Sequence, residues 1–196
     1  MIIFNLVVMF QQLKDTVTNF VSFNESEWEE LISYFTVVKV KRKTQLVKLN
    51  KTATEIYFIN KGAVRIYILF DVEEINVDFA FENSFITSLS SFLLQTPGNQ
   101  VVEAMEDSEL LVLKQTDYEK LNRDMLKFNV LSRIIIEQAT LTNEEQRFSL
   151  TVNTPKDRFL KAKEKRPVLF TRIPEQYLAS YLDIPLLMLS KMIENR

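Results

Sequence analysis

Neither cysteine nor histidine occurs among the 196 residues. Their absence removes the usual zinc ligand sets, cysteine-held iron–sulfur clusters, the common haem ligands, disulfides, and the Ser-His-Asp and Cys-His nucleophiles. Only two glycines are present, Gly62 and Gly98, so phosphate-cradling loops that need several glycines are excluded. No uninterrupted apolar run approaches the ~20 residues of a spanning helix, and no membrane role is expected. The apolar start, Met1 to Phe10, lacks a basic flank and a small-residue cleavage site. It reads as a short lead-in, buried or covered by a partner, with Met9 as an alternative start. Missing cysteines suit a reducing compartment, and the cytoplasm is the expected location.

What is present is enough for a sizeable core, since 46% of the residues are hydrophobic. The net charge of −2 conceals an asymmetry. Residues 153–196 hold an excess of four positive charges, while residues 1–152 hold an excess of six negative ones. A basic end on an acidic body suits an anionic partner such as DNA, although solvated lysines would give the same count.

Periodicity divides the chain in three. Asn24 followed by Glu27 has capping-box spacing, and Trp28, Leu31, Ile32 and Phe35 share one helical face, so a helix is predicted from Asn24 to Phe35. From Val37 to Lys114 the period is two. Ile75, Val77, Phe79 and Phe81 alternate with Asn76, Asp78, Ala80 and Glu82, and similar runs recur between turn signals at Asn60-Lys61-Gly62, Asp71 and Thr96-Pro97-Gly98-Asn99. Many short strands in so few residues predict a jelly-roll-like β-roll over residues 10–117.

A long helix is predicted over residues 118–150. Leu121, Met125, Phe128, Ser132, Ile135, Ala139 and Thr142 recur at alternating steps of four and three, a heptad-like seam. Further apolar residues widen this surface, so the helix needs two coverings, and Leu121, Met125, Phe128, Ile135 and Ala139 are the expected homodimer interface. Pro155 disfavours helix at Thr154 and sets a boundary. Residues 151–196 then read as a small helical domain interrupted at Pro167, Pro174 and Pro185. The fold class expected is α+β.

This order of β-roll, long helix and basic helical end resembles the Crp/Fnr family of bacterial transcription regulators. Three segments carry the resemblance: Tyr57-Phe58-Ile59-Asn60-Lys61-Gly62-Ala63-Val64-Arg65-Ile66-Tyr67, Glu103-Ala104-Met105-Glu106-Asp107-Ser108-Glu109-Leu110, and Ile173-Pro174-Glu175-Gln176-Tyr177-Leu178-Ala179-Ser180-Tyr181-Leu182-Asp183-Ile184 with Leu189-Ser190-Lys191. It implies a cyclic-nucleotide-binding-type roll, a dimerising helix and a helix-turn-helix. The sequence stops at Arg196, so a complete wing is not expected.

In nucleotide-binding members a glutamate holds the ribose and an arginine pairs with the cyclic phosphate. Set against that pattern, Gly98 stands at the arginine, Thr87 at the glutamate and Ile86 at a glycine. Arg65 is a substitute cation in principle, but strand alternation points it at solvent. Without charged anchors a buried phosphate is too costly, so cAMP binding is not expected. Ile86, Thr87, Gly98, Asn99 and Gln100 remain as a degenerate pocket that is vestigial or takes a neutral effector. No haem or iron–sulfur cofactor, no metal and no catalytic residue is expected.

The resemblance also implies a DNA-reading helix from Pro185 to Asn195, capped by Asp183. Gln176, Ser190, Lys191 and Arg196 are its candidate DNA contacts. Leu186 and Leu187 stand where base-reading polar residues would be. The expected function is thus a dimeric DNA-binding regulator with a diverged pocket. The alternative is a β-roll dimer whose apolar last helix docks on another protein, and an exposed Leu186-Leu187-Met188 face would favour that alternative.

Overall fold

The computed structural model describes residues 2–194, with side chains from residue 10 onward. It resolves into two compact units.

The first unit comprises residues up to Ile66 together with Ala80–Glu137. It opens with α1 (Ile2–Thr18), so the apolar start is part of a long helix rather than a separate lead-in. Helix α2 (Glu25–Ser33) begins with the predicted capping box. The Glu27 amide donates to Asn24 Oδ1 at 2.9 Å, and the Asn24 amide donates to Glu27 Oε2 at 2.7 Å. Lys127 also donates to Glu27 Oε2, and this bond holds the Glu27 carboxyl below the usual range.

Strands β1 (Phe35–Val40), β2 (Gln45–Val47), β3 (Glu55–Lys61), β4 (Val64–Phe70) and β5 (Glu73–Ala80) follow. Then come β6 (Phe85–Ile86), α3 (Leu89–Leu94), β7 (Gln100–Ala104) and β8 (Ser108–Lys114). They form two four-stranded sheets, ordered β1-β8-β3-β6 and β2-β7-β4-β5. Strand β8 lies antiparallel between β1 and β3, with Leu111 opposite Val37 on one side and Phe58 on the other. Gly62 closes the β3–β4 turn at φ +110°, where a Cβ would come 2.1 Å from Ser108 Oγ. Only glycine fits there.

The long helix of the sequence reading is two helices, α4 (Gln115–Asp124) and α5 (Leu126–Val152). Met125 separates them in extended backbone at φ −123°, ψ 100°. The break lets both helices turn the same side inward. Leu121, Met125, Phe128 and Leu131 join Leu13, Val17, Trp28, Leu31, Phe35 and Phe58 in one core cluster, with Ile135 packed partly against it. Leu121, Met125 and Phe128 are therefore core residues and not a face for a second chain. Heptad spacing reports an apolar stripe, and it does not say whether the stripe's partner is another copy or the chain's own sheet.

The second unit comprises Tyr67–Phe79 and residues from Gln138 onward. The β4–β5 hairpin thus groups with the C-terminal helices, whereas the predicted boundary kept it in the roll. Thr154 caps α6 (Pro155–Lys165) by accepting from the Asp157 amide, and Pro155 occupies its first turn. Short α7 (Leu169–Arg172), α8 (Glu175–Leu182) and α9 (Leu186–Glu194) complete the unit.

Arg166 fastens the hairpin to these helices. Its guanidinium donates to Asp78 Oδ1 at 2.9 Å, to the Tyr181 hydroxyl at 2.7 Å and to the Phe79 carbonyl. The Asn76 amide donates to Ser180 Oγ at 3.0 Å. This covering overrides strand alternation at the outer end of β5: Asn76 is buried and Ile75 is exposed, the reverse of the predicted faces.

Burial, opposed in part by Arg166, pushes the Tyr181 hydroxyl up to about 12. Burial also raises the Tyr57 hydroxyl, with the Glu55 carboxylate adding to the shift. Both folded-state values lie above the ordinary ~10, so folding favours the protonated phenols. The stability they carry is complete below pH ~10 and is lost as pH rises above it, through about 12 for Tyr181. In a spectrophotometric titration at 295 nm, removing Tyr181 as Tyr181→Phe should take amplitude from above pH ~11 rather than from the transition near pH ~10. Loss of amplitude near pH ~10 instead would contradict this burial.

Candidate effector pocket and nucleic-acid interface

The segment from β6 to β7 is where a nucleotide pocket would lie, and its polar groups bond among themselves. The Thr87 hydroxyl donates to the Glu55 carbonyl at 2.8 Å, and Ser88 Oγ donates to Gln100 Oε1 at 2.8 Å. Ser91 Oγ donates to the Thr96 carbonyl at 2.5 Å and accepts from the Ala53 amide at 2.9 Å. Gln95 Nε2 reaches the carbonyls of Ala53 and Phe92. Ser88 and Ser91 are not legible as pocket residues in the sequence. Their isolated hydroxyls give no periodic signal, and only the fold shows them facing the Gly98 turn.

Gly98 is set against both serines. A Cβ there would lie 3.1 Å from Ser91 Cβ and 3.4 Å from Ser88 Oγ. The turn that would present an arginine instead sits down on α3, and its backbone is tied by Gly98 N to the Lys51 carbonyl and by Asn50 N to the Gly98 carbonyl. Ile86 is buried on β6 opposite Tyr57, and Asn99 is exposed. The structure therefore brings Ser88, Gly98 and Gln100 together, with Thr87 bonded to Glu55 instead.

Arg65 does not point at solvent. It is 2% exposed and donates through Nε and Nη2 to Glu103 Oε1 at 3.0 and 2.7 Å. Burying a guanidinium demands such a partner, because desolvating an unpaired charge costs several kcal/mol. The sequence misled here because β4 is buried at four successive positions, Val64 to Tyr67, and so lacks a solvent face over that stretch.

In the second unit, α8, a tight turn and α9 form a helix-turn-helix. Asp183 ends α8 in the left-handed region at φ 50°, ψ 52°, so it is the C-cap of α8 and not an N-cap for α9. Arg158 holds this turn from beneath. It is buried, and it donates to the carbonyls of Asn153 and Asp183 and to Asp183 Oδ2 at 3.3 Å. Ala179, Leu182, Ile184 and Leu189 are buried between the helices as their spacing predicts. Arg158 and Arg166, both counted in the basic end, thus have structural work inside the unit.

Among the DNA candidates, Gln176 and Lys191 are exposed, while Ser190 Oγ donates to Glu175 Oε2 at 2.6 Å. Arg196 lies outside the described residues. Leu186, Leu187 and Met188 are 46%, 71% and 43% exposed. Among the described residues no acidic cluster could hold a metal ion, and no helix is long and apolar enough to cross a membrane.

The pocket geometry predicts no heat of binding with millimolar cAMP or cGMP in calorimetry, and saturable micromolar binding would overturn that reading. The ion pair predicts that Arg65→Met alone lowers stability in urea unfolding by about 3–5 kcal/mol, by leaving Glu103 unpaired. Arg65→Met with Glu103→Leu should recover most of the loss.

Residues 37–124 match the family model of the cyclic nucleotide-binding domain. No curated protein sequence matches the chain. Among solved structures, FixK2 from Bradyrhizobium japonicum is similar at 16% identity and a TM-score of 0.68, covering 82% of this chain and 83% of its own. A putative Crp/Fnr-family transcriptional regulator from Eubacterium rectale has 16% identity and a TM-score of 0.68, with 88% and 83% covered. The c-di-GMP-responsive global regulator CLP from Xanthomonas campestris has 14% identity and a TM-score of 0.66, with 85% and 88% covered. The roll that closes over its own serines thus matches the cyclic nucleotide-binding domain model over residues 37–124, and the chain shares the fold of solved Crp/Fnr-type regulators.

Proposed function

We propose that the protein is a homodimeric, DNA-binding regulator of Crp/Fnr type that works in the cytoplasm without a cyclic nucleotide. The observation that carries this reading is the α8–turn–α9 unit, with its packed inner face and the exposed Gln176 and Lys191 on its outer surface. Lysines on α6 add positive charge to the same unit, so binding is mostly through phosphates and is steeply salt-dependent. Lys191 is the residue placed to reach guanine acceptors in a major groove. The roll contributes a fixed scaffold, or a pocket for a neutral effector lined by Thr87, Ser88, Asn99 and Gln100.

Dimerisation uses a different stripe from the predicted seam. Leu141, Phe148 and Val152 stand seven and four residues apart on α5 and are 62%, 65% and 56% exposed. Each large apolar side chain covered by a partner gains ~1.5–3 kcal/mol. Ala139, half-buried, remains compatible with the edge of that interface.

The second reading, a protein-docking module, is favoured by the exposed Leu186-Leu187-Met188 face. The two readings separate in one set of measurements. At ~0.5 M salt and low micromolar concentration, where charge-dependent contacts are screened, Leu141→Glu with Phe148→Glu should convert a dimer to a monomer in sedimentation analysis, and an unchanged dimer would place the seam elsewhere. On DNA, Lys191→Ala should weaken a selected duplex by ~1–3 kcal/mol and a random duplex by less. Equal losses would make Lys191 a phosphate contact. No binding of the wild-type dimer to any duplex at low salt would favour the docking reading.

A further inference from the structure

We propose that the groove between α6 and α9 receives the tip of the β4–β5 hairpin from a second copy of this chain. The inference does not depend on DNA binding. The groove has a volume of about 750 Å³ and an apolar floor that includes Phe159, Leu160, Leu187 and Met188. Lys156 and Lys191 border it, and no carboxylate lines it among the described residues. Lys163 adds a third cation, its ammonium lying 5.8 Å from the Phe159 ring centre. The floor is open to solvent: Leu160, Leu187 and Met188 are 49%, 71% and 43% exposed.

The hairpin tip carries the matching chemistry. Phe70 and Val72 are 66% and 93% exposed, and Asp71, Glu73 and Glu74 flank them, all exposed. Asp71 turns the chain at φ 54°, which sets the two apolar side chains on either side of a tight bend. No lysine or arginine occurs from Ile66 to Leu113, so nothing basic on this stretch opposes approach to the lysines. An acidic tip with two bare apolar side chains and a basic groove with an apolar floor are complementary in both respects. A nucleic acid would satisfy the lysines but would leave Leu160 and Leu187 wet.

The occupant is a second copy because each chain's own hairpin is fastened elsewhere, through Arg166 and Ser180, and the groove lining comes only from residues 156–192. Tip and groove belong to one compact unit, so a two-fold pair can make the contact twice. Each contact is small, and the doubling supplies the affinity. A filled groove covers Lys191, so a docked tip and a duplex compete for α9.

The test is sedimentation of the full chain at low salt in a Leu141→Glu, Phe148→Glu background, which sets aside the α5 stripe. That chain should still associate, and raising salt from ~0.02 to ~0.5 M should weaken association about tenfold. A tip variant, Phe70→Ser with Val72→Ser, and a groove variant, Lys156→Glu with Leu160→Ser, should each be monomeric alone. All four positions are exposed, so the fold is spared. Mixed, the two variants should form a weaker heteromeric pair through the one intact tip and the one intact groove. Three results overturn the proposal: a parent chain that is monomeric at hundreds of micromolar, association unaffected by either variant, or no recovery on mixing. If the α5 changes leave the dimer undiminished even at ~0.5 M salt and the tip variant abolishes it, the α5 seam fails and this contact stands.

Discussion

Arg65 is the last cation before Lys114, and the fold spends it inside the roll on Glu103. Much follows from that one pair. A guanidinium held at 2.7 Å by a carboxylate, with almost no exposure, is already neutralised and shielded from an anionic ligand. The turn at Gly98 brings no charge and packs against Ser88 and Ser91. The pocket segment is therefore stabilised without phosphate. Its hydroxyls meet carbonyls and Gln100, bonds of about 1 kcal/mol each that need no guest. The same absence of cations leaves the hairpin tip wholly acidic.

How much of this was legible depended on whether a segment answers to one neighbour or to several. The capping box at Asn24 and the helix break before Pro155 are local devices, and both stand where spacing puts them. The helix-turn-helix core was also legible, because Ala179, Leu182, Ile184 and Leu189 pack within a short stretch of chain. The break at Met125 was not. Leu121, Met125 and Phe128 keep helical spacing across it, and the interruption is imposed by the core they must reach. At Asn76 and Ile75, alternation failed because the hairpin's outer end is covered by α8, an element a hundred residues later in the chain. Helix α1 hid inside an apolar run with no cap signal.

The basic end also reads differently once its arginines are placed. Arg158 braces the turn between α8 and α9, and Arg166 ties the hairpin to Tyr181. Burial disfavours the Arg166 charge, but Asp78 beside it more than compensates and holds its pKa above the usual value. The planar fork reaches a carboxylate, a hydroxyl and a carbonyl at once, which an ammonium could not do in that geometry. The cations left at the surface are mainly lysines, strongly hydrated point charges suited to phosphates and carboxylates without regard to sequence.

The outer face of α9 then sets a limit on specificity. A base-reading helix needs donors and acceptors where Leu186 and Leu187 stand, and apolar groups there leave base edges unpaired at a cost comparable to lost hydrogen bonds. Thymine methyls are the one base feature such residues can match. The same two leucines gain more from a partner that removes their area from water, at roughly 25 cal/mol per Å². Their chemistry therefore works against sequence reading and in favour of an apolar contact, while Lys191 on the same helix serves either partner through charge. A duplex and a second chain would have to share one helix face, and salt and the concentration of the chain would then set which is favoured.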